Sequence, residues 1–124
     1  MNTIFTQLRA GEHYAGIIIN SATGKPTHHL ILLPHKPIKA LTWPEAMEWA
    51  ASVGIELPTR QESALLYTNL KPVFEPAWYW TGEQYISDAS VVWGQYFGDG
   101  TQELNDKNYK NRVRGIRRVP ITEN

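Results

Sequence analysis

Cysteine is absent from this chain of 124 residues. Its absence excludes a disulfide framework, a thiolate zinc site, an iron–sulfur cluster and a cysteine nucleophile, so we expect stability to come from packing. Long apolar runs are also missing, since a run such as Leu30 to Leu33 is far too short to cross a bilayer. Residues 1–10 lack the apolar core of a signal peptide. We therefore expect a cytoplasmic protein without a membrane partner.

Net charge is missing as well. The 12 Lys and Arg residues balance 12 Asp and Glu residues. The net charge therefore gives no indication of a polyanionic partner. The chain is 42% hydrophobic, 11% aromatic and only 19% charged, which argues against disorder. Its length predicts a single domain, residues 1–124, with a sizeable core.

The first 40 residues are predicted to contain a β-hairpin. Two short apolar segments, His13 to Asn20 and Thr27 to Leu33, flank a turn-forming stretch that contains Gly24. Such segments on either side of a glycine-containing turn are typical of a hairpin. Pro34 then ends the second strand, since proline has no N–H to donate.

Two capping boxes predict two helices. Thr42 and Thr59 are each followed three residues later by a glutamate, Glu45 or Glu62, and apolar residues then recur at helical spacing. We expect helices from Thr42 to Val53 and from Thr59 to Leu70. We interpret the two glutamates as capping partners rather than as catalytic carboxylates.

From residue 77 onward the sequence favours strands, because aromatic and β-branched residues are punctuated by turn formers. Asp99-Gly100 is a strong hairpin signal, and the last strand is predicted from Arg112 to Val119. The fold class is therefore α+β. We expect two helices packed on a small, mostly antiparallel sheet that contains Trp80 and Val113.

Five motifs in order carry a resemblance to a known family. They are Trp43 with Glu45-Ala46, Leu57-Pro58-Thr59-Arg60-Gln61-Glu62, Tyr79-Trp80-Thr81-Gly82, Tyr96-Phe97-Gly98-Asp99-Gly100 and Val113-Arg114-Gly115-Ile116-Arg117. Over residues 41–119 the chain resembles the DUF1566 family, also called the Lcl C-terminal domain family. Residues 1–40, the N-terminal hairpin region, are similar to short phage and prophage members. The resemblance implies a C-type-lectin-like fold and a bacterial or phage origin.

The resemblance also connects the chain with two classes of enzyme, but its residues favour neither activity. The similar formylglycine-generating enzymes use a cysteine pair for copper, and related sulfoxide synthases use three histidines. Here the histidines all precede the family-like region: His13, His28, His29 and His35. Neighbouring residues of a strand point to opposite faces, so His28 and His29 cannot face one metal, although His13 and His29 could meet across the hairpin. We interpret the histidines as surface or hairpin-packing residues and expect no metal, no cofactor and no catalytic residues.

Calcium is the other metal that lectin-like folds suggest. The nearest set of oxygen ligands is Asp99, Glu103, Asn105, Asp106 and Asn108. A calcium site needs six to eight clustered oxygens, whereas Asp99-Gly100 already has a role in a turn. We therefore interpret these residues as solvated loop residues.

A basic segment near the end of the chain has two interpretations. It contains half of the basic residues and no acidic one: Lys107, Lys110, Arg112, Arg114, Arg117 and Arg118. Such a segment is typical of polyanion binding. Alternatively, Arg114 and Arg117 attach the last strand to the fold, which leaves only Lys107, Lys110, Arg112 and Arg118 free to bind.

The resemblance places a ligand surface around the later strands and loops. The candidate binding residues are Tyr85, Gln95, Tyr96, Asn105, Lys107, Asn108, Tyr109, Lys110 and Arg112. Tyrosine and asparagine suit such a surface, since they provide rigid amphipathic area and adaptable hydrogen bonds.

The leading hypothesis is a non-enzymatic binding module of phage or prophage type. It would recognise a protein, including a host factor that it inhibits, or a surface glycan. Its location would be the bacterial cytoplasm or the virion. The alternatives are nucleic-acid or other polyanion binding through the basic segment, and a degenerate formylglycine-generating-enzyme-like domain without activity. The target and the oligomeric state are left open.

Overall fold

The computed structural model describes residues 4–121. These residues form two α-helices and two three-stranded antiparallel sheets, which confirms the α+β class. In chain order the elements are β1 (His13–Ile19), β2 (Pro26–Leu32), α1 (Trp43–Ser52), α2 (Arg60–Leu70), β3 (Trp78–Tyr85), β4 (Asp88–Tyr96), β5 (Gln102–Asp106) and β6 (Ile116–Pro120). Short 3₁₀ turns, Ile4–Gln7 and Lys71–Val73, precede β1 and follow α2. No helix within residues 4–121 is long and apolar enough to cross a membrane.

Each sheet contains a predicted hairpin. The first sheet has the order β1-β2-β6, so the N-terminal hairpin is confirmed and β6 returns to its open side. The second sheet has the order β3-β4-β5. The predicted Asp99-Gly100 turn joins β4 to β5, and Gly100 has φ 89°, a conformation that residues with a Cβ rarely adopt.

Both predicted helices are confirmed, with both capping boxes in place. The Thr42 hydroxyl accepts a hydrogen bond from the Glu45 N–H at 3.3 Å, and the Glu45 carboxylate accepts one from the Thr42 N–H at 3.0 Å. Thr59 and Glu62 make the same reciprocal pair, at 3.2 Å and 2.9 Å. Each box satisfies N–H groups that the first helical turn leaves unpaired.

The prediction of one strand from Arg112 to Val119 in a single sheet is wrong. Arg112 bonds to the free edge of β3, since its N–H donates to the Trp78 carbonyl at 2.9 Å and it forms a parallel bridge with Tyr79. Ile116, in contrast, pairs with Leu32 in the first sheet. The two ends of the segment thus pair with different sheets, and Val113 between them belongs to no strand.

Two cores lie against the helices. In the first, Leu66 of α2 packs among residues of both sheets, including Leu30 of β2 and Tyr79 of β3. In the second, Ala46 of α1 packs with Trp80 and residues of the second sheet. Because α2 touches β1 as well as β3 and β4, it joins the two sheets into one unit.

Candidate functional site

One face of the second sheet carries a continuous, half-buried group of aromatic and polar side chains. Trp78 lies opposite Tyr96 on the neighbouring strand, with 5.4 Å between ring centroids. Beside them Gly94 has no side chain, and a Cβ built there would lie 3.3 Å from Trp78 Cε3 and 3.0 Å from Asn105 Nδ2. Trp78, Tyr96 and Asn105 therefore form one surface, which we call the aromatic face.

The segment 107–112 is attached at both ends. At its start the Lys107 N–H donates to the Ser90 carbonyl of β4 at 3.0 Å, and the Lys107 carbonyl accepts from the Trp43 N–H at 3.0 Å. At its end Asn111 exchanges two backbone hydrogen bonds of 2.9 Å with Leu41, and Arg112 bonds to β3. The segment thus runs from the end of β5 to the free edge of β3.

Between these attachments the segment presents exposed side chains. Asn108, Tyr109 and Lys110 are all exposed, and Tyr109 keeps 61% of its surface open to solvent. The Tyr109 N–H donates to the Asp106 carbonyl at 2.9 Å. Its hydroxyl, however, has no hydrogen-bond partner within the described residues. A large aromatic side chain is therefore held outward on a fixed backbone.

Two of the predicted binding residues belong to the opposite face of the sheet. Gln95 is only 1% exposed, and its side-chain oxygen accepts from Gln102 at 2.8 Å. Tyr85 is the last residue of β3, and its ring makes a T-shaped contact with Trp93, with the ring centroids 6.2 Å apart. Successive residues of a strand alternate between faces, so Gln95 cannot share a face with Tyr96. We therefore exclude Gln95 from the exposed surface.

The arginines of the basic segment are mostly engaged inside the protein. Arg117 forms two hydrogen bonds with the Glu12 carboxylate, at 2.9 Å and 2.8 Å, and Arg114 donates to two carbonyls, so their structural role is confirmed. Arg118 was expected to be free, which is wrong. It binds Glu62 through two bonds, at 2.7 Å and 2.8 Å, and also contacts Glu56.

Three basic residues remain available to a partner: Lys107, Lys110 and Arg112. Lys110 and Arg112 are exposed and Lys107 is half-buried. Within residues 4–121 none of them forms a salt bridge. Three of the six basic residues of the segment are therefore available to a partner.

Glu62 has a role that the sequence did not show. Its side chain is 1% exposed, and besides the Thr59 N–H it accepts hydrogen bonds from Arg118 and from His28 Nε2, the latter at 2.7 Å. Burial raises the pKa of this carboxyl, but the bonds from Arg118, the Thr59 N–H and His28 outweigh it and hold the pKa below its usual value. The capping box is a local signal, whereas Arg118 and His28 are both distant from Glu62 in sequence.

The two neighbouring histidines of β2 have different partners. His28 and His29 do point to opposite faces, since His28 bonds to Glu62 and His29 Nδ1 lies 2.8 Å from the Tyr14 hydroxyl. His13 and His29 do not meet across the hairpin, because His13 pairs with Leu32 and His29 with Ile17.

The acidic residues considered for calcium are likewise divided between the two ends of β5. Asp99 accepts from the Thr101 N–H at 2.9 Å, and Asp106 accepts from the Asn108 N–H at 2.8 Å. Among residues 4–121 no group of three or more His, Cys, Asp or Glu side chains could hold a metal ion.

No protein-family model matches this chain, and no curated protein matches it significantly. The resemblance to the DUF1566 family thus depends on the five motifs alone.

Proposed function

We propose that this protein is a non-enzymatic binding domain that recognises another protein through the aromatic face and the exposed side chains of the segment 107–112. The observation that carries the proposal is Tyr109, which is 61% exposed on a backbone attached at both ends. A rigid aromatic side chain loses little conformational freedom on binding, so it suits an anchor. The half-buried Trp78 and Tyr96 offer a partner further aromatic area.

Charge favours a protein partner over a polyanion. Of the six basic residues in the segment 107–118, Arg114, Arg117 and Arg118 are engaged internally. The remaining Lys107, Lys110 and Arg112 could neutralise about three phosphates, whereas nucleic-acid affinity grows with each phosphate neutralised.

The family resemblance adds a biological setting to the proposal. A C-type-lectin-like fold in a phage or prophage protein would direct this surface at a component of the bacterial host. The domain would then act in the host cytoplasm as an inhibitor of a host factor, or on the virion. The DUF1566-like motifs support this setting. Protease and glycosidase treatment of the lysate distinguishes a protein ligand from a glycan ligand.

The first experiment captures partners from a bacterial lysate on the immobilised protein and then measures the affinity of the purified partner. Tyr109→Ala should weaken binding about 30-fold, as expected for loss of an anchor worth about 2 kcal/mol. Phe5→Ala is the matched control, because Phe5 is 62% exposed and contacts Tyr14 of the other sheet. Equal affinity of wild type and Tyr109→Ala would contradict the proposal.

A second comparison separates the classes of ligand. The double variant Lys107→Glu, Lys110→Glu should lose less affinity than Tyr109→Ala, and the affinity should depend only modestly on salt. A larger loss in the lysine variant with a steep salt dependence would indicate a polyanion instead. Capture that survives protease treatment of the lysate but not glycosidase treatment would identify a glycan, and sensitivity to nuclease would identify nucleic acid.

A further inference from the structure

A cationic cleft of about 430 Å³ is lined by none of the three residues of the aromatic face. Its walls come from residues 36–39, from the turn Lys71–Val73 with the two residues that follow, and from residues 112–114. Arg114 lines this cleft and is only 9% exposed. The cleft thus contains a guanidinium that is almost completely removed from water.

Arg114 is charged, buried and incompletely partnered. Its Nη1 donates to the Val73 carbonyl at 3.1 Å and its Nη2 to the Leu33 carbonyl at 3.0 Å. Its buried Nε has no hydrogen-bond partner, and within residues 4–121 no carboxylate forms an ion pair with it. The nearby Arg117 and Arg118, in contrast, each bind a glutamate.

The two carbonyls and the Phe74 ring accommodate this positive charge, but within residues 4–121 no negative charge is paired with it. The loss of hydration lowers the pKa of Arg114 from its usual value, yet an arginine stays protonated at physiological pH. A buried charge is stable when an opposite charge and further hydrogen bonds accompany it. An anion in the cleft would provide the opposite charge.

Three other basic residues line the cleft and add to the positive electrostatic potential of Arg114. Lys36, Lys39 and Arg112 line the same space, and Glu75 is the acidic residue among the lining side chains, so the lining carries four positive charges and one negative charge. Pro72, Val73 and Phe74 add an apolar wall, with the Phe74 ring centroid 5.2 Å from Arg114 Cζ. The volume lies within the usual range for small-molecule sites.

We propose that this cleft binds a small organic phosphate. The phosphate dianion would lie toward Arg114, Lys36, Lys39 and Arg112, and its organic group would lie against Phe74 and Pro72. A dianion with several acceptor oxygens matches the surplus of positive charge better than a single carboxylate does. The site shares only Arg112 with the proposed protein-binding surface and does not depend on that function.

The test compares thermal stability and binding in phenyl phosphate, inorganic phosphate and benzoate, each against sodium chloride at the same ionic strength. Phenyl phosphate should raise Tm most, because a ligand that binds only the folded state stabilises it. The double variant Lys36→Glu, Lys39→Glu should bind phenyl phosphate at least about tenfold more weakly. Lys107→Glu with Lys110→Glu makes the same change in net charge outside the cleft and should bind as wild type does.

Arg114 is followed directly by nitrogen-15 NMR of arginine side chains. Phenyl phosphate should shift the Arg114 Nε–H resonance in wild type and leave those of Arg117 and Arg118 in place. This measurement needs no substitution of a buried residue, so it does not depend on whether an Arg114 variant folds. A Tm response equal to that of chloride, equal binding by the Lys36/Lys39 variant, an unchanged Arg114 resonance, or benzoate binding as tightly as phenyl phosphate would overturn the proposal.

Discussion

At the scale of single residues, Glu62 illustrates how one buried carboxylate can serve three partners. It caps α2 through the Thr59 N–H, and it also binds Arg118 of β6 and His28 of β2. Glu62→Gln keeps the side-chain oxygen for the cap but removes the charge that Arg118 faces. We expect a loss of about 3 kcal/mol in the free energy of unfolding, the usual cost of removing one partner of a buried pair.

Urea unfolding measures this loss, and Glu45→Gln provides the matched control. Glu45 occupies the same position in the other capping box, but it is exposed and forms no salt bridge within the described residues. Glu45→Gln should therefore cost much less. Equal losses in the two variants would mean that the ion pair adds nothing to the cap.

The same carboxylate predicts acid sensitivity. Hydrogen bonds hold the folded-state pKa of Glu62 below the usual 4.5 despite burial, and a bond from Arg117 lowers that of Glu12. A carboxyl group with a lowered pKa in the folded state stabilises the fold when the pH is above the pKa of the same group in the unfolded state. This stabilisation is lost as the pH falls through the folded-state pKa. Stability should thus fall between about pH 5 and pH 3 in urea unfolding. Glu62→Gln should make the free energy of unfolding depend less on pH. An unchanged dependence on pH would show that Glu62 does not contribute to the acid sensitivity.

Among the candidate site residues, local sequence predicted some properties and not others. The exposure of Tyr109 follows from its place among polar neighbours near turn residues. The burial of Gln95 could not be predicted in this way, because it depends on which face of β4 packs against α2. The pairing of Glu62 with Arg118 joins residues 56 positions apart, a separation that no local pattern specifies.

At the scale of elements, the helices were the most predictable part of the fold because a capping box is a local signal. Thr59→Ala removes the hydroxyl that caps α2 and should cost about 1 kcal/mol. Thr59→Ser retains a hydroxyl and should cost much less. Thermal or urea unfolding of the two variants measures the difference, and similar losses would assign the effect to the methyl group of Thr59 rather than to the cap.

The strands show the limit of local prediction. The hairpins follow from turn residues between apolar segments, as at Asp99-Gly100. The segment from Arg112 to Val119 has the composition of one strand, but Arg112 pairs with β3 and Ile116 pairs with β2. Strand pairing is set by tertiary contacts, so the local sequence could not predict that this segment serves two sheets.

At the scale of the whole molecule, α2 should make the two sheets unfold together. All 5 tryptophans lie in α1 or the second sheet, at positions 43, 49, 78, 80 and 93, so tryptophan fluorescence reports on that part alone. Far-UV circular dichroism reports on both sheets and both helices. The two signals should give one coincident unfolding transition. Separate midpoints would mean that the contacts of Leu66 with both sheets do not couple them.

The pairing of β6 with β2 affects how the chain is made on a ribosome. Pro26–Leu32 emerges early, whereas its second partner, Ile116–Pro120, is translated more than 80 residues later. Throughout that interval one edge of β2, with its apolar Leu30 and Ile31, has no strand beside it. Such an edge is a template for pairing with other chains. A nascent chain that stalls before residue 116 therefore carries an open apolar edge, and chaperones that bind extended apolar segments would find their target there.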